Sequence, residues 1–101
     1  MDIGGSGALL SSMIAKHHPH ISCISWDLPP VAPIADEIIQ QFQLQDRVQT
    51  AGGDFFKDNF PKADIITMGN ILHDWDEETK MMLIQKAYDA LPEGGAFIAI
   101  E

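Results

Sequence analysis

The chain has 101 residues, of which 46% are hydrophobic and 21% charged, and its formal net charge is −9. A chain of this length forms one domain at most. Only six residues are Lys or Arg, so the clustered basic residues that bind phosphate backbones are missing, which excludes nucleic acid and anionic membranes as partners. We expect no transmembrane span and no signal peptide. The single Cys23 is predicted to be a buried small residue and fits a reducing cytoplasm.

Helix-like and strand-like segments alternate along the chain. Apolar side chains at helical spacing (Leu9, Leu10, Met13, Ile14) predict a helix over residues 8–17, and Pro19 stops it. Further helices are predicted for residues 31–42 and 77–91, the last capped by Asp74 or Asp76. Strands are predicted for residues 21–26, 48–51, 63–68 and 96–100, with Ile65 and Ile66 buried.

The alternation predicts an α/β fold with a doubly wound, mainly parallel sheet. Such apolar strands are typical of sheets covered on both faces. The chain starts at the exit of a strand and stops as another strand finishes, so we expect a domain that is incomplete at both ends. Residues 96–100 would then form an unprotected apolar edge strand, and we expect marginal stability and a tendency to aggregate.

Four predicted strand ends carry residues suited to binding or proton transfer. The run Gly4-Gly5-Ser6-Gly7 opens the first helix, where glycines allow a tight turn and a close approach to a ligand. Asp27 ends the next strand, where doubly wound folds place a carboxylate on ribose hydroxyls. Asp54 and Phe55 follow the third strand and could hold an adenine. Each feature also has a plain structural interpretation, as a turn, a loop carboxylate or two core phenylalanines (Phe55, Phe56).

His73 follows the fourth strand, beside Asp74, Asp76 and Glu77. An imidazole with an unperturbed pKa of about 6.5 is suited to act as a general base. Ligands bind at the carboxyl edge of open α/β sheets, which favours a functional His73 over a packing residue. The neighbouring carboxylates favour a helix start, and the cluster of His17, His18 and His20 has poor spacing for a metal, so we predict no metal site.

Six runs, in order along the chain, resemble those of the S-adenosylmethionine-dependent O-methyltransferases of the plant-caffeate and hydroxyindole type, which also have bacterial members. The runs are Asp2-Ile3-Gly4-Gly5-Ser6-Gly7, Trp26-Asp27-Leu28-Pro29, Gly53-Asp54-Phe55-Phe56, Pro61-Lys62-Ala63-Asp64, Ile71-Leu72-His73-Asp74-Trp75 and Ala90-Leu91-Pro92-Glu93-Gly94-Gly95. The resemblance implies a class I methyltransferase (Rossmann-like) fold. Residues 1–101 would be part of an S-adenosylmethionine-binding catalytic domain.

The resemblance also implies a role for each matching residue. Gly4 and Gly5 would lie beside the methionine part of S-adenosylmethionine, and Asp27 with Leu28 would bind its ribose end. Asp54 and Phe55 would contact the adenine. His73 would take the proton from the hydroxyl of a small, aromatic acceptor, and Glu101 would orient His73. The full-length parent would be a homodimer.

The chain departs from this family at several positions. Family members usually carry glycine where this chain has Ser6 and Ala8, and often lysine where it has Gly69. The family's amino-terminal dimerisation region, and with it much of the acceptor pocket, lies outside this sequence. A catalytically inactive cofactor-binding remnant is therefore a second hypothesis. A nicotinamide-dependent oxidoreductase is a third, disfavoured because Ser6 and Leu9 stand where the dinucleotide fingerprint needs glycine.

Overall fold

The computed structural model describes residues 1–54, 56–69 and 71–100, with His73 described by its backbone alone. Within these described residues, five strands and three α-helices follow one another. They are β1 (Asp2–Ile3), α1 (Leu9–His17), β2 (Cys23–Asp27), α2 (Ala32–Gln41), β3 (Val48–Gly52), β4 (Ile65–Gly69), α3 (Glu77–Ala90) and β5 (Ala96–Ile100). Within this part of the chain, no helix has the length and apolarity needed to cross a membrane.

The five strands form one parallel sheet in the order β3-β2-β1-β4-β5. The doubly wound α/β prediction is confirmed. From β1 the chain winds through β2 to β3 on one side, and it then crosses back to β4 and β5 on the other side. The reversal places the topological switch point beside β1, where open α/β sheets bind ligands at the carboxyl ends of their strands.

Two apolar clusters lie on opposite faces of the sheet. One contains Ile3, Trp26, Ile66 and Met68 with Leu83 and Ala87 of α3. The other contains Cys23 and Val48 of the strands with small or branched side chains of α1 and α2: Ala8, Ala15, Ala35 and Ile39. Cys23 is buried and has a free thiol, as the sequence predicted.

Helix α1 confirms the helix predicted over residues 8–17 and packs on the sheet mainly through small side chains. Leu9 is 55% and Met13 51% exposed, whereas Ser11, Ser12 and Ala15 are buried. Ile14 is partly buried against the cluster of Cys23 and Val48. The helix contacts strands β2 and β3, where small side chains allow a close approach.

Other boundaries also differ from the prediction. The helical segment predicted from residue 31 starts earlier, because Pro29 and Pro30 begin a short 3-10 helix (Pro29–Val31) that leads directly into α2. Proline is tolerated in a first helical turn because that position needs no amide hydrogen. Ile65, predicted as buried, is 48% exposed, although Ile66 beside it is fully buried. The expectation that every strand is covered on both faces is therefore wrong for β4.

Candidate functional site

The carboxyl ends of the parallel strands bring the predicted site segments to one edge of the sheet. Gly4 and Gly5 follow β1, Asp27 ends β2, and Asp54 follows β3. After β4, a 3-10 turn (Leu72–Asp74) carries the backbone of His73 at the same edge. Phe55 and Glu101, to which the sequence assigned an adenine contact and the orientation of His73, lie outside the described residues.

The glycine loop after β1 is bonded to the end of β2. The amides of Gly4 and Gly5 donate to the carbonyl oxygen of Trp26, at 2.7 and 3.2 Å. Gly4 has a φ of +73°, and a Cβ there would lie 1.9 Å from Cδ1 of Ile71. A Cβ at Gly5 would lie 2.1 Å from the hydroxyl oxygen of Ser25. A larger residue at either position would have to displace the Ile71 or Ser25 side chain, so internal packing favours glycine there.

Ser6 and Ala8 continue this loop in a conformation that glycine adopts more easily. Their φ angles are +51° and +59°, in the left-handed region. A side chain in that region costs about 1–2 kcal/mol relative to glycine. By the resemblance described above, family members usually carry glycine at these two positions. The loop of this chain has the left-handed backbone that favours glycine, although Ser6 and Ala8 carry side chains.

Asp27 ties the glycine loop to the start of the segment after β2. One carboxylate oxygen accepts from the amide of Ser6 at 2.9 Å, and the other accepts from the amide of Leu28 at 2.7 Å. A carboxylate has about four lone-pair positions, so each oxygen can accept one more hydrogen bond. Asp27 is half-buried, which leaves it within reach of a ligand at this edge.

Asp54 begins a compact turn after β3. One of its carboxylate oxygens accepts from the amide of Phe56 at 2.8 Å. Its own amide donates to the carboxylate of Asp58 at 2.7 Å. The sequence offered no signal for Asp58. It also allowed Phe56 as a core residue, whereas the ring is 56% exposed and meets Trp75 edge to face at 5.5 Å.

The segment that carries His73 packs directly on the glycine loop. Ile71 occupies the space beside Gly4 that a Cβ would need. The carbonyl oxygens of Ile71 and Leu72 accept from the amides of Asp74 and Trp75, which closes the 3-10 turn. The turn after β4 is therefore placed against the loop after β1, at the switch point.

Asp76 belongs to helix α3. Its carboxylate accepts from the amide of Thr79 at 2.8 Å, which makes Asp76 the N-cap. Hydrogen bonds from the Thr79 side chain and amide lower the pKa of Asp76. The prediction of a helix-capping carboxylate near His73 is confirmed for Asp76.

In the part of the chain that the structure describes, no group of three or more His, Cys, Asp or Glu residues is placed to hold a metal ion.

Asp2 lies in the sheet behind the glycine loop. Its carboxylate accepts from the hydroxyl of Thr67 at 2.7 Å. Burial raises the pKa of Asp2, and the Thr67 hydrogen bond opposes that rise. A carboxyl group with a raised pKa is stabilised in its neutral form.

The two edges of the sheet differ in their cavities. A cavity of about 620 Å³ opens at the amino edge, lined among others by Met1, Cys23, Arg47 and Ile65. At this edge β1 begins two residues later in register than β2 and β4, its neighbours. At the carboxyl edge, a cavity of about 10 Å³ lies between Ser6, Asp27 and Leu28.

Comparison with known proteins identifies the family. A family model described as an O-methyltransferase domain matches residues 1–101. The N,N-dimethyltransferase OxyT of Streptomyces rimosus is 39% identical over 101 residues, which are 100% of this chain and 29% of that protein. Caffeic acid 3-O-methyltransferase 3 of Populus kitakamiensis is 42% identical over 98 residues, 97% of this chain and 24% of that protein.

A solved structure agrees with this assignment. The crystal structure of the O-methyltransferase NcsB1 from neocarzinostatin biosynthesis, in complex with S-adenosylmethionine and 2-hydroxy-5-methyl naphthoic acid, superimposes with a TM-score of 0.92 at 29% identity. The superposition covers 99% of this chain and 31% of that one. The chain thus spans less than a third of the length of each of these proteins.

Proposed function

The chain belongs to the O-methyltransferase domain family, and from that premise we propose that it is the cofactor-binding part of an S-adenosylmethionine-dependent O-methyltransferase. Its acceptor would be the hydroxyl of a small aromatic molecule. The observation that carries the proposal is the pair of hydrogen bonds that holds Asp27 between the amides of Ser6 and Leu28 at the switch point. This is where a doubly wound sheet presents a carboxylate to a ribose.

The residues at the carboxyl edge fit an adenosyl cofactor. Gly4 and Gly5 would border its methionine part, and Asp27 with Leu28 would face its ribose. The spare lone pairs of Asp27 can accept ribose hydroxyls without loss of the existing bonds. Asp54 keeps one carboxylate oxygen that accepts no bond among the described residues, which can accept the adenine amino group. Phe55 would supply the apolar face against that ring.

Proton removal from the acceptor would fall to His73. When bound, S-adenosylmethionine supplies an electrophilic methyl group on a sulfonium centre. The protein therefore has to align the acceptor oxygen with that methyl group and remove its proton. The packing of Ile71 on Gly4 supports this role, because it places the turn of His73 against the loop that would border the cofactor. We propose Glu101 as the partner that orients His73.

The names and complexes of relatives support a small aromatic acceptor. NcsB1 binds a hydroxylated naphthoic acid, and a relative from Populus methylates caffeic acid by its name. Because the chain spans less than a third of these proteins, the acceptor pocket would draw on segments beyond residues 1–101. We further propose a homodimeric parent protein in the cytoplasm, with no nucleic-acid partner at a net charge of −9.

Transfer to nitrogen is a second candidate activity. A relative that is 39% identical over the whole of this chain is named an N,N-dimethyltransferase. The cofactor half of the site would be the same for both reactions, since only the acceptor atom differs. A catalytically inactive cofactor-binding remnant would have the same cofactor half of the site. Turnover on phenols and on amines separates these three alternatives.

Titration calorimetry tests the proposal most directly. We expect the protein to bind S-adenosylmethionine and S-adenosylhomocysteine, and Asp27→Ala to weaken both by at least tenfold because a charged hydrogen-bond acceptor is lost. Asp46→Ala, which removes an exposed carboxylate, serves as the control and should bind normally. Failure of the unmodified protein to bind either ligand would overturn the proposal, and binding of NADH instead would favour an oxidoreductase.

A further inference from the structure

The turn after β3 closes on itself through Asp58. The amide of Asp54 donates to the carboxylate of Asp58 at 2.7 Å, and the amide of Asp58 donates back to the carbonyl oxygen of Asp54 at 2.9 Å. This reciprocal pair fixes the backbone on both sides of the Asp54 side chain. Nothing in the resemblance or in the run Gly53-Asp54-Phe55-Phe56 assigns a role to Asp58.

Asp58 is itself held in place by the body of the domain. Its carbonyl oxygen accepts from the ammonium group of Lys86, on helix α3, at 2.7 Å. Its carboxylate lies against the end of β3, since a Cβ at Gly53 would be 2.8 Å from Oδ2 of Asp58. The same Cβ would be 2.9 Å from the Trp26 ring. The turn is therefore anchored to β3 and to α3 at once.

The direction of the Asp54 carboxylate depends on this anchoring. One of its oxygens accepts from the amide of Phe56, so the side chain is folded over its own turn. The other oxygen can accept a ligand only if the turn keeps its shape. Asp54 is half-buried and Asp58 is exposed, so the hydrogen bond from the Asp54 amide ties a site residue to a group at the protein surface.

We propose that Asp58 is a positioning residue that orients Asp54 towards the adenine amino group, an assignment that rests on the proposed function. Asp58 acts through the acceptor oxygen that its side chain places beside the Asp54 amide, and not through its negative charge. Asparagine at this position also offers an acceptor oxygen at the same reach, whereas glutamate keeps the charge but moves the acceptor by one methylene group. Alanine removes the acceptor altogether.

Calorimetry with two probes tests this assignment. S-adenosylhomocysteine carries the adenine amino group, and S-inosylhomocysteine has a carbonyl oxygen in its place. We expect the unmodified protein to prefer S-adenosylhomocysteine. Asp58→Ala and Asp58→Glu should lower that preference about five- to tenfold, the effect of one lost hydrogen bond. Asp58→Asn should retain it within about twofold, and Asp46→Ala should leave it unchanged.

The outcomes of this experiment separate the alternatives. Equal weakening of both probes by Asp58→Ala would show a purely structural role and overturn the assignment. A loss in Asp58→Asn as large as in Asp58→Ala would show that the charge matters, which also contradicts it. Should Asp58→Ala fail to fold, Asp58→Glu still decides the question. Absence of binding by the unmodified protein would instead refute the proposed function. An unchanged preference for S-adenosylhomocysteine in Asp58→Ala and Asp58→Glu would refute only the positioning role of Asp58.

Discussion

One face of the sheet is closed over β1 to β3 and open over β4 and β5. Helices α1 and α2 bury Cys23 and Val48 on that face. The register pairs Ile65 with Ala96 and Thr67 with Ile98, which places these side chains on the same face as Asp2. There Ile65, Ile98 and Ile100 are 45–49% exposed. Strands of similar apolarity thus differ in burial because helices cover only part of the sheet.

The opposite face of β4 is closed by α3. Ile66 and Met68 of β4 are fully buried against Leu83 and Ala87. Adjacent residues of one strand therefore experience different environments, since alternate side chains point to opposite faces. Apolar composition alone therefore does not fix burial, and substitutions at matched positions of β4 test this conclusion.

The largest effect is expected from matched substitutions in β4. Ile66→Ala should lower the free energy of unfolding by about 2–5 kcal/mol, because it removes buried methyl groups and leaves a cavity. Ile65→Ala, one residue away, should cost less than about 1 kcal/mol, since Ile65 is already half in solvent. Chemical denaturation of both variants measures the difference, and equal costs would show that the open face is covered in solution.

Arg47 offers the next largest effect, on the closed side. Its guanidinium donates to the carbonyl oxygens of Ala15 and His18 at 2.6 and 2.8 Å and also to that of Ile21, so it joins the end of α1 to the segment before β2. Hydrogen bonds to charged groups are worth about 1.5–3 kcal/mol. Arg47→Ala should therefore destabilise the protein by about 2–3 kcal/mol.

Arg47→Lys separates charge from geometry. Lysine keeps the cation near the helix end but cannot supply the planar fork of donors. We expect it to recover less than half of the loss in thermal-unfolding experiments. Full recovery would mean that the charge at the end of α1, and not the three carbonyl contacts, closes this half of the sheet.

The loop at the start of α1 should respond in the opposite direction. Ser6→Gly should stabilise the protein by about 1 kcal/mol, because a left-handed φ of +51° no longer strains a side chain. Gly94→Ala is the reverse control, since Gly94 has a φ of +84° and, among the described residues outside positions 93–95, no atom lies within 4 Å of the place that an alanine methyl group would take. It should cost about 1 kcal/mol by backbone strain alone. A destabilising Ser6→Gly in melting experiments would contradict the assignment of strain.

The smallest effects are expected from pH, with opposite signs for two carboxylates. Burial raises the folded-state pKa of Asp2, so its stabilising contribution is present below the unfolded pKa of about 3.9 and is lost as the pH rises. Asp2→Asn should stabilise the protein at neutral pH. The lowered pKa of Asp76 works the other way, and its contribution is lost as the pH falls below about 3.9. Unfolding curves from pH 3 to 7 measure both, and a steeper loss of stability with rising pH in Asp2→Asn would contradict the first.

Much of the fold follows from local patterns. The alternation of segments predicted every strand after β1 and all three helices, because hydrophobic periodicity and proline or glycine breakers act within a few residues. The cap of α3 was also predictable, since Asp76 lies directly before an apolar periodic run. Leu9 and Met13 show the limit of this approach. Their spacing indicates a helix, but which side faces the sheet depends on how α1 packs against β2 and β3.

The candidate site likewise contains residues that the sequence predicts and contacts that it does not. Gly4, Gly5, Asp27 and Asp54 were identifiable because each stands at the end of a predicted strand. The hydrogen bonds from Gly4 and Gly5 to Trp26, the contact between Gly4 and Ile71, and the bond from Lys86 to Asp58 were not identifiable. These contacts join residues far apart in sequence, and no local pattern encodes them.

From the sequence alone follow the parallel α/β architecture, the carboxyl edge as the candidate site and the resemblance to the O-methyltransferase family. These properties depend on periodicity, turn residues and motifs that are each read within a short stretch of chain. Which apolar residues are buried, and which hydrogen bonds hold Asp27 and Asp54, follow only from the packed fold. Burial and orientation depend on which elements pack together, and that packing is set by contacts between distant segments, such as Asp58 with Lys86 and Arg47 with the end of α1.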